Sequence, residues 1–364
     1  MKWSDKMRRR RHSHRRGKNH TVRNIVIGCF VITLFLATGY SAFQTNITLK
    51  VKGNVKEKSR IIKARDETAF WQESIRTNIV SITFLDSANI PNNVVDSWDV
   101  SADRKGGVIA YITINNNDYS KYDLFIGAKD GVIANTSCYA MFSSFTNVMS
   151  INFNNNFDTF SVTSMVLMFN NCNNLISLNL SGIRTDNVTN MHGMFCNCSK
   201  LKSLNLSMFN TSNVTIMRDM FLHCHELEEL NLNNFNTSKV ISMQGMFAVC
   251  NKLSKLNIDN FNTTNVTNMY EMFLGCNLEE LDLSSFNTQS VTDIREMFKG
   301  CTNLKTIYTS DSFVTTAVIN SSSMFASCTN LIGGNGTVFD LNHIDKEYAR
   351  IDVAGTSGYF TLKQ

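Results

Sequence analysis

The chain has 364 residues, 43% of them hydrophobic, with one proline (Pro91) and 18 glycines, a composition that excludes a long disordered or proline-rich polypeptide. Its net charge of +5 conceals an asymmetry: ten Lys/Arg and one Asp fall in the first 24 residues, leaving −4 for the other 340. A body without basic excess offers no electrostatic footprint for nucleic acid, and nucleic-acid binding is set aside.

In chain order, residues 1–24 form a basic segment expected on the cytoplasmic side. Ile25–Phe43, "IVIGCFVITLFLATGYSAF", carries no charge. As a helix it would reach roughly 28 Å, close to the hydrocarbon thickness of a bilayer. Basic residues before it and none directly after predict an exported body. A retained signal anchor and a cleaved signal peptide both fit; the length and the lack of an A-x-A site favour the anchor. The expected location is the cell surface, membrane-anchored through Ile25–Phe43, or secreted if the signal is cut. Residues 44–65 read as a stalk, with Ile47, Leu49 and Val51 alternating as in a short strand. Residues 66–135 read as an N-terminal cap: a helix after Asp66 carrying Phe70 and Ile75, then strands at "IVSITFL", "GVIAYITI" and "YDLFIGAKDGVIAN". A small independent binding domain is the alternative for this region.

Residues 136–332 repeat. Met-Phe pairs begin at Met141, Met168, Met194, Met220, Met246, Met272, Met297 and Met324, steps of 27, 26, 26, 26, 26, 25 and 27. A fixed period of this size signals stacked units. The full unit reads C-x-x-L-x-x-L-x-L-x-x-F-x-T-x-x-V-x-x-M-x-x-M-F-x-x-C. In one copy, Leu204 and Leu206 share a strand face opposite Asn205, Leu201 enters from the preceding turn and Phe209 fills behind them. "NTSN" supplies turn and N-cap chemistry. Val214, Met217 and Phe221 then stand at i, i+3 and i+7, predicting a short helix. The expected fold is α/β: a leucine-rich-repeat-like solenoid of about 26-residue strand–turn–helix units, with capping regions and an N-terminal transmembrane helix. Met, Phe and Cys are expected as core columns, each meeting its own copy in the next unit. One unit is a residue short after Cys276 and another a residue long before Phe313, slips that fall in turns. Residues 333–364 open with Gly333, Gly334 and Gly336, and "YARIDV" and "YFTL" predict a C-terminal capping hairpin.

The L-x-x-L-x-L block followed by "FNTSNVTIMRDMF" and its near-copies resembles the BspA-like leucine-rich repeats of bacterial surface proteins. The resemblance is close over Phe157–Cys328 and extends to the leader and closing segments. It implies an exported protein, non-enzymatic in its repeats, that mediates adhesion or binds a host or partner molecule.

Ten cysteines in an exported chain invite a disulfide framework. Seven of them, at 172, 198, 224, 250, 276, 301 and 328, occupy one column, where equivalent thiols offer no unique pairing; reduced core thiols are expected. Cys196, Cys198, His223, Cys224 and His225 come from neighbouring units and could cluster around zinc, but no C-x-x-C pair exists and two of these are column positions. No catalytic, metal or cofactor constellation stands out, and the chain is read as a non-enzyme. The candidate binding residues are the outward strand positions Ser203, Asn205, Glu229, Asn231, Lys255, Asn257, Glu280 and Asp282, facing a protein or glycan at the cell surface. A structural spacer without a ligand is the alternative, and a surface hydrolase with its site in 66–135 the third.

Overall fold

The computed structural model describes residues 59–61 and 73–363, all within one compact unit, Lys56–Gln364. The basic segment, Ile25–Phe43 and the strand expected at Ile47–Val51 lie outside the described residues.

The cap is a mixed five-stranded sheet. Its strands are β2 (Ile79–Leu85), β3 (Asp96–Asp99), β4 (Ile109–Ile114), β5 (Tyr122–Gly127) and β7 (Ser150–Asn152), in the order β3-β4-β5-β2-β7. Strands β3, β4 and β5 are antiparallel neighbours; β2 runs parallel to both β5 and β7. Alternation places Ile82, Phe84, Leu124 and Ile126 inward, all essentially without exposure. Helix α1, Glu73–Arg76, falls within the helix expected after Asp66, whose earlier residues, Phe70 among them, lie outside the described residues. The strands read at "IVSITFL", "GVIAYITI" and "YDLFIG" form; β3 was not foreseen. Strand β1 (Ser59–Arg60) pairs with β6 (Val132–Ile133), which pairs with β8 (Phe157–Asp158), so the end of the expected stalk is part of the folded body. Because β7 belongs to the first repeat, the repeats continue the cap sheet without a seam.

The repeats stack as rungs, but they are not strand–turn–helix units. Among the described residues, helix is limited to α1 and one 3-10 turn at Lys346–Tyr348, and no helix is long and apolar enough to cross a membrane. The repeats contain short strands in small parallel sheets. Strand β9 (Glu229–Asn231) pairs in register with β10 (Lys255–Asn257), and β11 (Glu280–Asp282) with β12 (Thr306–Thr309). Where a helix was expected, the backbone makes two successive tight turns.

The stretch Met217–Cys224 shows how. Met220 N–H donates to Met217 O (3.3 Å) and Cys224 N–H to Phe221 O (3.1 Å). The third residue of each turn, Asp219 (φ 54°) and His223 (φ 60°), takes the left-handed conformation that a type II turn demands. The alternate N–H groups leave the rung: Met217, Asp219, Phe221 and His223 donate to Ser242, Gln244, Met246 and Ala248 of the next one at 2.8–3.2 Å. A helix would consume these donors internally. Two four-residue turns also point their first and last residues inward, so they reproduce the helical spacing of Met217, Met220, Phe221 and Cys224, all fully buried. Single-residue parallel bridges run down this side from Ser137 through Ser164, Asn190, Ile216, Ser242, Asn268 and Asp293 to Asn320.

Three further columns hold the rungs together. The Phe of each Met-Phe pair stacks on the next: Phe142, Phe169, Phe195, Phe221, Phe247, Phe273, Phe298 and Phe325 have ring centroids 5.6–5.9 Å apart and planes within 16° of parallel. The stack ends edge-on, against Phe84 of the cap at one end and Tyr359 at the other. Each column thiol donates to the carbonyl of the preceding rung's Phe: Cys224 Sγ reaches Phe195 O and Cys250 Sγ reaches Phe221 O, both at 3.2 Å. The Thr of F-x-T is neither an exposed turn residue nor an N-cap. Thr211, 1% exposed, donates Oγ1 to Asn236 O (3.0 Å) and accepts from Asn236 N–H (2.8 Å). Thr159, Thr185, Thr237, Thr263 and Thr288 make the same reciprocal bracket.

The C-terminal cap is not a hairpin. Strand β13 (Phe360–Leu362) adds in parallel to β12, and Phe360 bridges Ile351, also in parallel. Asp352, 5% exposed, pins this cap by accepting from the amides of Asn335, Thr337 and Gly358 and from the Thr337 hydroxyl.

Candidate functional site

The strand side of the central rungs carries the candidate residues. Leu204, Leu230 and Leu281 point inward beneath it and the residues between them point out, as alternation requires. Ser203, Asn205, Glu229, Asn231, Lys255, Asn257 and Glu280 line one shallow, open depression of about 830 Å³. Asp282 lies just beyond, where Lys363 of the residues after β13 pairs with it at 3.0 Å. Partial burial works to raise the Asp282 carboxyl, but the Ser284 hydroxyl and amide and the Lys363 ammonium outweigh it and hold the group below its ordinary value.

The amide residues on this face have structural duties as well. Asn205 Oδ1 accepts from Ser207 N–H (3.0 Å) and Asn231 Oδ1 from Asn233 N–H (3.1 Å), closing the turn after each strand. Asp282 Oδ1 does the same for Ser284 N–H (2.9 Å). The recurring Asn of the L-N-L slot is therefore explained in part by local turn closure. The charged members differ: Glu229, Lys255 and Glu280 are exposed, and none takes part in an ion pair among the described residues. Flanking positions that the sequence reading passed over, Glu226, Lys252, Glu279 and Lys305, form two rung-to-rung pairs at 2.7 and 3.0 Å. They sit one or three places before the selected columns, so extending the column reading would have found them. Tyr308, beneath Lys363 Nζ at 4.3 Å, joins the far end of the face.

The residues weighed for zinc do not converge. Cys198 and Cys224 are fully buried, with their thiols committed to Phe169 and Phe195 carbonyls. The His223 and His225 rings lie 5.4 Å apart, and His225 Nδ1 meets Asn251 Oδ1 at 2.6 Å. Burial, with His225 beside it, keeps His223 below the usual histidine range, against a weaker pull from Glu271. The nine described cysteines are unpaired and buried. Burial pushes Cys172, Cys250 and Cys301 up to about 12, and Cys198, Cys224 and Cys276 well above their ordinary value.

The family described as "Mycoplasma protein of unknown function, DUF285" matches residues 136–255 and 219–336, two overlapping spans that cover more than half of the chain. No curated protein matches it. Among solved structures, a leucine rich cell surface protein from Faecalibacterium prausnitzii A2-165 is similar at 20% identity, with a TM-score of 0.31, over 57% of this chain and 43% of that one. The chain thus spans less than half of that protein's length. On the match across its repeats, the chain belongs to the DUF285 family.

Proposed function

We propose that this repeat protein is a cell-surface protein of the BspA-like type, and that it binds a protein or glycan through the strand side of its rungs rather than catalysing a reaction. The observation that carries this reading is the contrast between the two long sides of the rungs. On the turn side the side-chain identities serve stacking. On the strand side, Glu229, Lys255 and Glu280 stand exposed around an open depression with no ion-pair partner among the described residues. Fixed framework positions with variable exposed ones between them are what a recognition surface on a repeat array requires. Export is supported by the uncharged Ile25–Phe43 directly behind a basic segment.

The test is a panel of extracellular-matrix proteins and cell-wall glycans probed with the full chain, alongside two variants. Ser203→Arg with Asn257→Arg places bulk in the depression and should abolish capture. Gln244→Arg on the turn side should leave it intact. Loss of capture with the turn-side variant alone would overturn the assignment of the face.

A further inference from the structure

The charges on the strand side are ordered, and their order has a symmetry. The column leading into the strands runs Met149, Ile176, Lys202, Glu228, Ser254, Glu279, Lys305, Ile332, eight rungs in which backbone hydrogen bonds link most neighbours directly. Reading the charges rung by rung up to the end of each strand, the third holds Lys200 and Lys202, and the fourth the half-buried Glu226 with exposed Glu228 and Glu229. The fifth holds Lys252 and Lys255, the sixth Glu279, Glu280 and the half-buried Asp282, and the seventh Lys305; Asp259 and Asp311 lie past the ends of the strands of the fifth and seventh rungs. Up to the end of each strand the sign alternates from rung to rung across about 20 Å of sheet, given one strand spacing of roughly 4.8 Å per rung.

Stacking alone accounts for part of this, because opposite charges on adjacent rungs attract within the chain. Lys252–Glu226 and Lys305–Glu279 are such pairs. Lys200, Lys202, Glu228, Glu229, Lys255 and Glu280 remain exposed and outside any ion pair among the described residues. Attraction within the chain therefore does not use up the pattern.

We propose that the strand side is a self-association surface, and that its occupant is a second copy of this chain packed face to face and antiparallel. The proposal rests on the reading of this face as the binding surface and commits that reading to one partner. A two-fold axis lying in the interface along the strands, between the fourth and fifth rungs, returns every column to itself and reverses rung order. Glu229 then meets the second copy's Lys255, and Glu226 the second copy's Lys252. Lys202 of the third rung meets Glu279 of the sixth, with Glu280 opposite Ser203 and Asp282 opposite Asn205. The lone Lys305 of the seventh rung meets uncharged Ile176 and Ser177. No rung faces one of like charge in this register. The ends match as well: Met149, 49% exposed, falls opposite Ile332, 47% exposed, so the half-exposed apolar side chains that close the column at either end cover one another. A shift of the axis by half a rung brings like charges together in the central rungs, so the pattern selects the register as well as the orientation.

Symmetry supplies the test. The full chain, purified in a non-ionic detergent at low ionic strength, should show reversible dimerisation by sedimentation equilibrium that weakens as salt is added. Lys255→Glu and Glu229→Lys each convert two attractive contacts per dimer into repulsive ones, and each should weaken self-association at least about tenfold. An equimolar mixture of these two variants restores complementarity and should associate as wild type does, as should the double variant Glu229→Lys/Lys255→Glu. A wild-type chain that stays monomeric at roughly 0.3 mM, or a mixture no tighter than either variant alone, would overturn the proposal. If wild type is monomeric yet captures an external ligand that Ser203→Arg/Asn257→Arg loses, only the second copy is refuted. If neither association occurs, the reading of the face fails with it.

Discussion

The two long sides of each rung are built from the same chain, repeat at the same interval and are joined by the same core, yet they are constrained very differently. On the turn side, four N–H groups per unit cross to the next rung, the phenylalanines form an unbroken stack of eight, and each thiol bonds the neighbouring rung's carbonyl. On the strand side, ladder pairing is confined to three- and four-residue strands, and the outward residues change from Ser to Glu to Lys. The lesson is a division of labour: one side fixes the rung spacing tightly enough that the other is free to vary its exposed residues. Four perturbations probe that division, from the largest effect to the smallest.

The thiol column predicts an alkaline limit. Burial raises these thiols from about 9 in the unfolded chain to about 12 at Cys172, Cys250 and Cys301. A raised folded-state value means that the stabilisation is complete below pH ~9 and is lost as pH climbs from there toward 12, because the unfolded chain ionises first. Each thiol then loses about 1 kcal/mol per pH unit, and seven act together, so the denaturation midpoint should fall steeply between pH 9 and 10. Circular dichroism melts across that window check it, and a variant with Cys224, Cys250 and Cys276 all replaced by Ala should show a visibly shallower fall. Native protein at pH 8 should also resist alkylation at all seven positions.

The stack predicts the largest single-site cost. Phe221→Ala removes a fully buried ring and both of its stacking contacts, and should destabilise by about 4–5 kcal/mol in denaturant unfolding. Phe235→Ala, in the F-x-T column, removes a ring of equal size that makes no stacked pair like those of Phe221, and should cost nearer 3 kcal/mol. Equal costs would show that burial alone, and not the stack, distinguishes the columns.

How much of this was legible beforehand follows from what a binary pattern encodes. The columns were readable because inward positions repeat, and Leu204, Phe209, Met217 and Phe221 are buried as the period requires. The helix was misread for the same reason. Two consecutive four-residue turns and two turns of helix both place positions 1, 4, 5 and 8 inward, and the difference lies in where the N–H groups go, which apolar spacing does not record. The clue available in the sequence was glycine at Gly193, Gly245, Gly275 and Gly300, unfavourable in a helix interior but suited to the positive φ these positions adopt. The residue type of Thr211 suits turn chemistry, whereas its bracket to Asn236 is a contact 25 residues away. On the candidate face, alternation located Glu229, Lys255 and Glu280, whereas the Lys363–Asp282 pair depends on how the last strand docks, which no local pattern specifies.

Threonine offers a matched internal comparison. Thr237 and Thr215 both donate a hydroxyl to a neighbouring rung's carbonyl, at 2.9 and 3.1 Å, but Thr237 is buried and also accepts from Asn262 N–H, while Thr215 is half-buried and its acceptor, Thr189 O, also takes the Thr215 N–H at 2.8 Å. Thr237→Val keeps the shape and strands an amide and a carbonyl, and should cost about 2 kcal/mol. Thr215→Val leaves Thr189 O still bonded to the backbone N–H of residue 215 and should stay within about 0.5 kcal/mol of wild type. Equal losses in chemical denaturation would mean that the two faces of the unit are equally sealed from solvent.

The smallest effect has the opposite sign. The last turn of each rung holds its third residue at positive φ, and the column reads Asn171, Asn197, His223, Val249, Gly275, Gly300, Ser327. Asn and Gly tolerate that conformation; a β-branched side chain does so at a cost of about 1–2 kcal/mol. Val249, at φ 59°, is held there because its N–H donates to Leu274 O at 2.6 Å within the crossing ladder. Val249→Asn should therefore stabilise the protein by about 1 kcal/mol, less the half-buried apolar surface it gives up. The reciprocal change tests whether strain or packing is responsible. A Cβ at Gly275, φ 63°, would meet Val249 Cα at an ordinary 3.9 Å, so Gly275→Ala introduces backbone strain without a clash. It should lose about 1–2 kcal/mol. Opposite shifts in the two melting curves would establish that the turn, with its left-handed third residue, is the element selected on this side of every rung; a loss in both would return the weight to side-chain packing and make the conformation a consequence of it.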